Sequence, residues 1–183
     1  MGFLGGIVPG IAYAVNALTN PDEEILVQTP VYPHFFTTPM HNGRKVLFNQ
    51  LIEKDGLYEM DFDGLESLIT DKTKLMILCN PHNPSGRVWD KETLLKIAQI
   101  CHKHGIIVVS DEIHSDMCLK GYNHIPFASV SDEASSCSIT FVAPTKTFNM
   151  PGLASSAYII SNSDLRARFF DFLYRMEQTV TLN

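Results

Sequence analysis

The sequence predicts an α/β fold, a three-layer αβα sandwich around a mostly parallel sheet, on three observations. Short runs that are apolar at every position alternate with amphipathic stretches at helical spacing, which is the rhythm of βαβ units. The polar, turn-forming segments follow those runs, where an open parallel sheet collects its ligands. The size agrees: 183 residues with 45% hydrophobic and 19% charged side chains suit one ordinary domain with a full core and no disordered or fibrous character.

Gly5 and Gly6 precede Ile7-Val8-Pro9, and Ile11, Ala14, Val15 and Leu18 follow at helical spacing. A glycine loop therefore opens a first helix, with proline in its first turn. Glu24 to Thr29 and Arg44 to Asn49 read as strands with a short helix between them. A helix starts within Asp61 to Ile69, and Leu75 to Cys79 is apolar enough to be a strand covered on both faces. Asp90 caps a helix from Lys91 to His104, Gly105 ends it, and Ile106 to Ser110 is the next buried strand. Ser138 to Ala143 and Ser156 to Ser161 continue the series. An amphipathic helix from Asp164 to Thr179 closes it, with Leu165, Phe169, Phe172, Leu173 and Met176 on one side.

A net charge of −6 gives no electrostatic footprint for nucleic acid or anionic lipid, so neither is an expected partner. Residues 1–21 carry no charged side chain, yet Pro9 and four glycines interrupt them and no Lys or Arg leads them in. A buried first helix fits better than a signal peptide or a membrane span. Cys79, Cys101, Cys118 and Cys137 form no C-x-x-C pair, which suits free thiols in a reducing cytoplasm.

Four segments end or follow predicted strands: Pro30 to Pro33, Asn80 to Gly86, Asp111 to His114, and Ala143 to Asn149. A lone Asn-Pro is a turn, but Asn-Pro-His-Asn-Pro-Ser-Gly after a buried strand is a stiff loop able to aim the Asn83 amide. Asp111 follows four apolar β-formers, so its carboxylate sits where desolvation raises the pKa unless a cation faces it. Taken singly, Asp111 could equally cap a helix over Glu112 to Asp116, His114 could be structural, and Lys146 could be a solvated amine. A metal site from Asp111, His114 and Asp116, or from His102 and His104, would leave Lys146 and Asn83 unexplained, so no metal is expected.

Together the four segments resemble the fold-type I pyridoxal-phosphate enzymes of the class I/II aminotransferase superfamily, over nearly the whole chain. Within it, Ser110 to Met117, His124-Ile125-Pro126-Phe127 and Ala143 to Asn149 look most like the MalY/PatB-type cystathionine β-lyases, which cleave carbon–sulfur bonds. The resemblance implies that Lys146 forms the Schiff base with pyridoxal 5'-phosphate and then carries protons, while Asp111 pairs with the protonated pyridine nitrogen. It implies that Asn83 and His114 lie near the ring's phenolic oxygen; many relatives have Tyr at the position of His114, and the lyase-like subgroup has His. Tyr32 would stack on the ring. The backbone amides of Gly6, Ile7 and Val8 would hold the phosphate, with Thr145 adding a hydroxyl.

The implied activity is β-elimination on a small-molecule sulfur amino acid such as cystathionine, giving pyruvate, ammonia and a thiol. Amino-group transfer is the alternative, and a non-catalytic cofactor-binding or assembly fragment is another. A homodimer with sites built from two subunits is implied as well. Residues 1–183 match a single large, cofactor-binding domain, so the family's N-terminal segment and C-terminal small domain are expected to be absent. Two positions depart from the aminotransferase pattern: Ala143 stands where serine is frequent, and Ala154 where an arginine is expected. Arg87, Arg166 and Arg168 are the cations that could compensate at the phosphate.

Overall fold

A computed structural model describes residues 1–178, so the Thr179 end expected for the last helix lies outside the described residues. The chain runs β1 (Gly2–Leu4), α1 (Ile7–Leu18), β2 (Glu24–Thr29), α2 (His34–His41), β3 (Lys45–Gln50), β4 (Ile52–Lys54), β5 (Leu57–Glu59) and α3 (Phe62–Leu68). It continues through β6 (Thr73–Cys79), α4 (Lys91–Lys103), β7 (Ile107–Asp111), α5 (Asp132–Ser136), β8 (Ser138–Val142), α6 (Pro144–Thr147), β9 (Ser156–Ile159) and α7 (Ser163–Arg175). Seven strands form one sheet in the order β1-β9-β8-β7-β6-β2-β3, and β3, β2, β6, β7 and β8 are mutually parallel.

Both faces of the sheet are covered. Ile25, Val27, Leu75, Ile77, Val109 and Ile139 pack under α1, α2 and α7. The intervening residues Leu26, Met76, Leu78 and Val108 pack under α3, α4 and α5. That is the predicted three-layer sandwich, and it explains why these strands are apolar at successive positions. Helix starts follow local chemistry. The Asp61 side chain accepts from the Gly64 amide, Asp90 accepts from Thr93, and Asn162 accepts from Asp164 and Leu165. Gly10 lets α1 approach the sheet, since a Cβ there would lie 2.9 Å from Leu4 and 3.0 Å from Phe141. Among the described residues no helix is long and apolar enough to cross a membrane.

Three features depart from expectation. β1 is an additional strand, antiparallel to β9, and β9 is itself antiparallel to β8. A β4–β5 hairpin turns at Asp55-Gly56, both at positive φ. The strand expected from Arg44 starts one residue later. Its guanidinium turns inward to donate to the Thr19 hydroxyl (2.9 Å), the Thr19 carbonyl (2.6 Å) and the Asn16 side chain (3.0 Å), tying off the end of α1.

The strand order reverses between β2 and β6. β3 lies outward from β2 on one side, while β7 and β8 step away on the other. Crevices for ligands form at the carboxyl ends of strands at such a point. α7 closes the fold with Phe169, which is fully buried edge-on to Phe141 and Tyr158 with ring centres 6.3 and 5.0 Å apart. Phe169→Ala is expected to cost about 3–5 kcal/mol, read as a lowered urea midpoint with an unchanged slope.

Candidate functional site

The four polar segments leave the carboxyl ends of β2, β6, β7 and β8, and hydrogen bonds lace each to the next. The Tyr32 amide donates to the Asn83 carbonyl at 3.2 Å, and His82 Nε2 donates to the Pro30 carbonyl at 2.8 Å. The Asn80 amide donates to the Asp111 carbonyl (3.0 Å) and the Glu112 amide to the Phe141 carbonyl (2.8 Å). The Thr147 hydroxyl donates to the Asp116 carboxylate at 3.0 Å, bringing the turn that carries Lys146 onto the segment that carries Asp111 and His114.

Asp111 ends β7 and is 6% exposed. Its Oδ1 accepts from the Ile113 amide at 3.1 Å, a local turn rather than a cap on a helix over Glu112 to Asp116. Burial pushes the carboxyl up to about 7; the Ile113 N–H and the positive charge of Lys146 draw it down, and Glu112 pushes it further up. Burial also lowers the pKa of His114, with the charge of Lys146 acting in the same direction. Lys146 itself is exposed on α6, and its field reaches both groups.

Asn83 is half-buried on a braced loop. Trp89 Nε1 donates to the Cys79 carbonyl at 2.9 Å, and the Gly86 and His82 amides bond across the loop to His82 and Arg87 carbonyls at 2.8 Å each. Tyr32 is 38% exposed, beside His34 and Phe35. At the start of α1, Gly6 holds φ 139°, where an L side chain would be strained, and no side chain caps the helix. The amides of Ile7 and Val8 precede the first helical bond, from Gly10 to the Gly6 carbonyl at 3.2 Å. Position 154 adjoins this loop, since a Cβ on Gly5 would lie 3.8 Å from the Ala154 carbonyl oxygen. Thr145 is half-buried on α6 next to Lys146.

A cleft of about 460 Å³ opens beside these groups. Asn83 and His114 line it together with Arg87, Met117, Cys118 and Tyr122; Lys146, Asp111, Tyr32, Thr145 and the Gly6–Val8 loop do not. Arg166 and Arg168 lie at the other end of the sheet. Arg166 donates to the Ile160 and Ser161 carbonyls, and Arg168 to the Leu18 carbonyl that ends α1, roughly 18 Å from the helix start. Neither can serve an anion at Gly6. Among the described residues no group of three or more His, Cys, Asp or Glu converges on a metal site, and Asp116 is engaged by Thr147.

Glu112 was not singled out by the sequence, yet it braces the site. Buried on the sheet face opposite Asp111, it accepts from the Ser110 hydroxyl (2.9 Å), the Phe127 amide (2.9 Å) and His124 Nε2 (2.8 Å). The signal was present, because adjacent acids leaving a doubly covered strand must point to opposite faces, and each then needs partners.

Two features define what the site can hold. Among the described residues Asp111 is a buried acid lacking a cation in contact, and α1 offers uncapped amides and a positive dipole end at the same edge of the sheet. A ligand with a protonated ring nitrogen and a phosphate satisfies both, with an amine at Lys146 available for covalent attachment. A family model described as aminotransferase class I and II matches residues 2–182. Cystathionine beta-lyase PatB of Bacillus subtilis is 50% identical over 94% of this chain and 45% of its own length. The chain therefore spans about half the length of the relatives it matches. The structure of cystalysin from Treponema denticola, which contains pyridoxal 5'-phosphate, superposes with a TM-score of 0.94 at 39% identity, over 99% of this chain and 46% of that one. The pyridoxal-phosphate-bound C–S lyase of Staphylococcus hominis gives 0.88 at 35% identity, over 98% and 45%.

The raised pKa of Asp111 sets a pH dependence. Unfolded, the carboxyl ionises near 3.9; folded, it holds its proton to about 7. The folded state binds the proton more tightly, so stability falls as pH rises from about 4 to about 7 and is level above, by at most on the order of 4 kcal/mol. Ligand-free Asp111→Asn is expected to melt above wild type at about pH 8, with the gap closing towards pH 4 in circular dichroism melts. A constant gap across that range would show that the carboxyl holds no raised proton affinity.

Proposed function

The chain belongs to the class I and II aminotransferase family, and from that membership we propose that it is the large domain of a pyridoxal-phosphate-dependent carbon–sulfur β-lyase. The observation that carries the proposal is Asp111, a buried carboxylate at the end of a central strand, held by one backbone donor and reached by the field of Lys146. When bound, the cofactor supplies an electron sink for the carbanion formed at the substrate's α-carbon.

The chain's own residues divide the remaining work. Asp111 keeps a negative charge against the ring nitrogen, and that cation in turn relieves the cost of burying the carboxylate. Lys146 would hold the cofactor, and its amine, when free, would carry a proton at Nζ. Asn83 and His114 would meet the ring's edge, and burial together with the charge of Lys146 lowers the pKa of His114, favouring its neutral imidazole. Tyr32 covers one ring face. The Gly6, Ile7 and Val8 amides receive the phosphate at the positive end of α1, with the Thr145 hydroxyl beside them.

Half of the matched positions are identical to a relative named as a cystathionine β-lyase, which supports elimination from a sulfur amino acid such as cystathionine to pyruvate, ammonia and a thiol. The family description supports amino-group transfer as the second reading. The two diverge after removal of the α-proton, on whether a β-substituent departs. We also read the protein as a cytoplasmic homodimer. Four unpaired cysteines support the compartment, and exposed Phe148, Met150 and Leu153 just after Lys146 support a partner at the site.

Added pyridoxal phosphate is expected to give a visible absorbance band and, after borohydride reduction, a mass increase located at Lys146; Lys146→Ala loses both. With cystathionine, release of thiol and pyruvate supports the lyase. Amination of an added keto acid without thiol release selects the aminotransferase instead, and no band with the wild type defeats both.

A further inference from the structure

The cleft of about 460 Å³ beside Asn83 and His114 has the size of a small-ligand site, and its charge is one-sided. No Asp or Glu lines it, and among the described residues Arg87 is its one permanent charge. The other four arginines are engaged: Arg44, Arg166 and Arg168 by carbonyls or side chains of the fold, and Arg175 by Asp171 at 2.7 Å. Arg87 is different. Its guanidinium lies 5.8 Å from the centre of the Trp89 ring, and no carboxylate among the described residues pairs with it. Its Nε is shut off from solvent without an acceptor. Asp90 feels its charge but forms no ion pair with it. Leu57, Val88, Met117, Leu119 and Tyr122 make most of the remaining wall apolar.

A guanidinium within cation–π reach of an aromatic ring is weakly hydrated and shaped to take a carboxylate through two parallel donors. No hydrogen bond or ion pair engages the Arg87 Nη groups among the described residues, so a carboxylate in the cleft meets two open donors there. The cleft therefore suits a ligand with an apolar stem and an acidic end, and its Asn83 and His114 side joins the reacting centre. Resting on the lyase reading above, we infer that Arg87 binds a carboxylate carried on the sulfur side of the substrate. The preferred substrates are then cysteine thioethers whose S-substituent is an apolar chain ending in an acid. Arg87 acts as a specificity residue; the elimination itself does not require it.

Two measurements on the pyridoxal-phosphate-loaded protein test this independently of each other. In calorimetric titrations, wild type is expected to bind γ-(methylthio)butyrate about tenfold more tightly than γ-(methylthio)butanol, and Arg87→Met, which keeps an aliphatic stem over Trp89, erases the preference. In thiol-release assays, Arg87→Met lowers kcat/KM for S-(3-carboxypropyl)cysteine about tenfold to hundredfold and leaves S-ethylcysteine within about twofold, while Arg87→Lys recovers part of the loss. Equal binding of acid and alcohol by wild type overturns the proposal, as does an equal loss on both substrates, which is what a merely structural role produces. If Arg87→Met does not fold, the wild-type acid-over-alcohol preference and the Arg87→Lys substrate ratio decide. Failure of the lyase reading has a separate signature, namely no thiol from either substrate with the binding preference intact.

Discussion

A carboxyl group buried at the end of the central strand β7, with one backbone donor and no cation in contact among the described residues, is the constraint on which the site depends. β7 lies between β6 and β8, so its side chains alternate between two covered faces. Val109 points into the layer beneath α1, and Asp111, two residues on, continues that side. α1 presents its uncapped amino end on the same side. One face of one sheet edge thus offers a buried negative group and a positive helix terminus. The crossover from β7 through α5 to β8 returns the chain to place Lys146 where its charge reaches Asp111.

Such a carboxylate is tolerable only if its surroundings are held in place, and the neighbouring acid does the holding. Glu112 faces the opposite side, where Phe127 is fully buried in the α4 and α5 layer. Its bonds to Ser110, Phe127 and His124 close the loop between residues 113 and 126 into a fixed arc. That arc carries His114 and the Met117, Cys118, Leu119 and Tyr122 wall of the cleft. Removing Glu112 would leave a half-buried histidine and a buried amide unpaired together, a larger disturbance than the loss of a surface ion pair.

What could be read from the sequence follows from what local chemistry encodes. Runs such as Leu75 to Cys79 must be covered on both faces, and Asp61 and Asp90 announce helix starts, so the layers and most elements were visible in advance. Strand direction was not, because Ser156 to Ile159 is equally good in either sense and only its neighbours decide. β1 was hidden for the same reason. Gly2-Phe3-Leu4 pairs with residues more than 150 positions away, and Gly2 is required there because a Cβ would collide with the Tyr158 ring at 2.4 Å. The β4–β5 hairpin did carry a local signal in Asp55-Gly56, the dipeptide suited to two residues at positive φ. At the site, the resemblance pointed to Asp111, Lys146, Asn83 and His114, which the fold brings to one edge. Sequence could not mark Arg87 as the arginine that pairs with no carboxylate among the described residues, because the partners of the other four come from distant parts of the fold.

The phosphate end of the proposed site follows a different logic from the ring end. Ala154 adjoins the Gly5-Gly6 loop and brings no charge to it, while Arg166 and Arg168 are held at the far end of α1. Among the described residues an anion there would meet the Gly6–Val8 amides, the Thr145 hydroxyl and the positive end of α1, whose dipole alone contributes about 0.3–1 kcal/mol and up to about 2 in partly buried geometry. A bidentate arginine would contribute more and would not fade within a helical turn. On the proposed reading, the covalent link at Lys146 and the charge pairing at Asp111 would then carry more of the cofactor's retention. The less the phosphate loop contributes, the more of the cofactor's binding energy must come from relieving the burial of Asp111, which is largest when no other cation has already neutralised it.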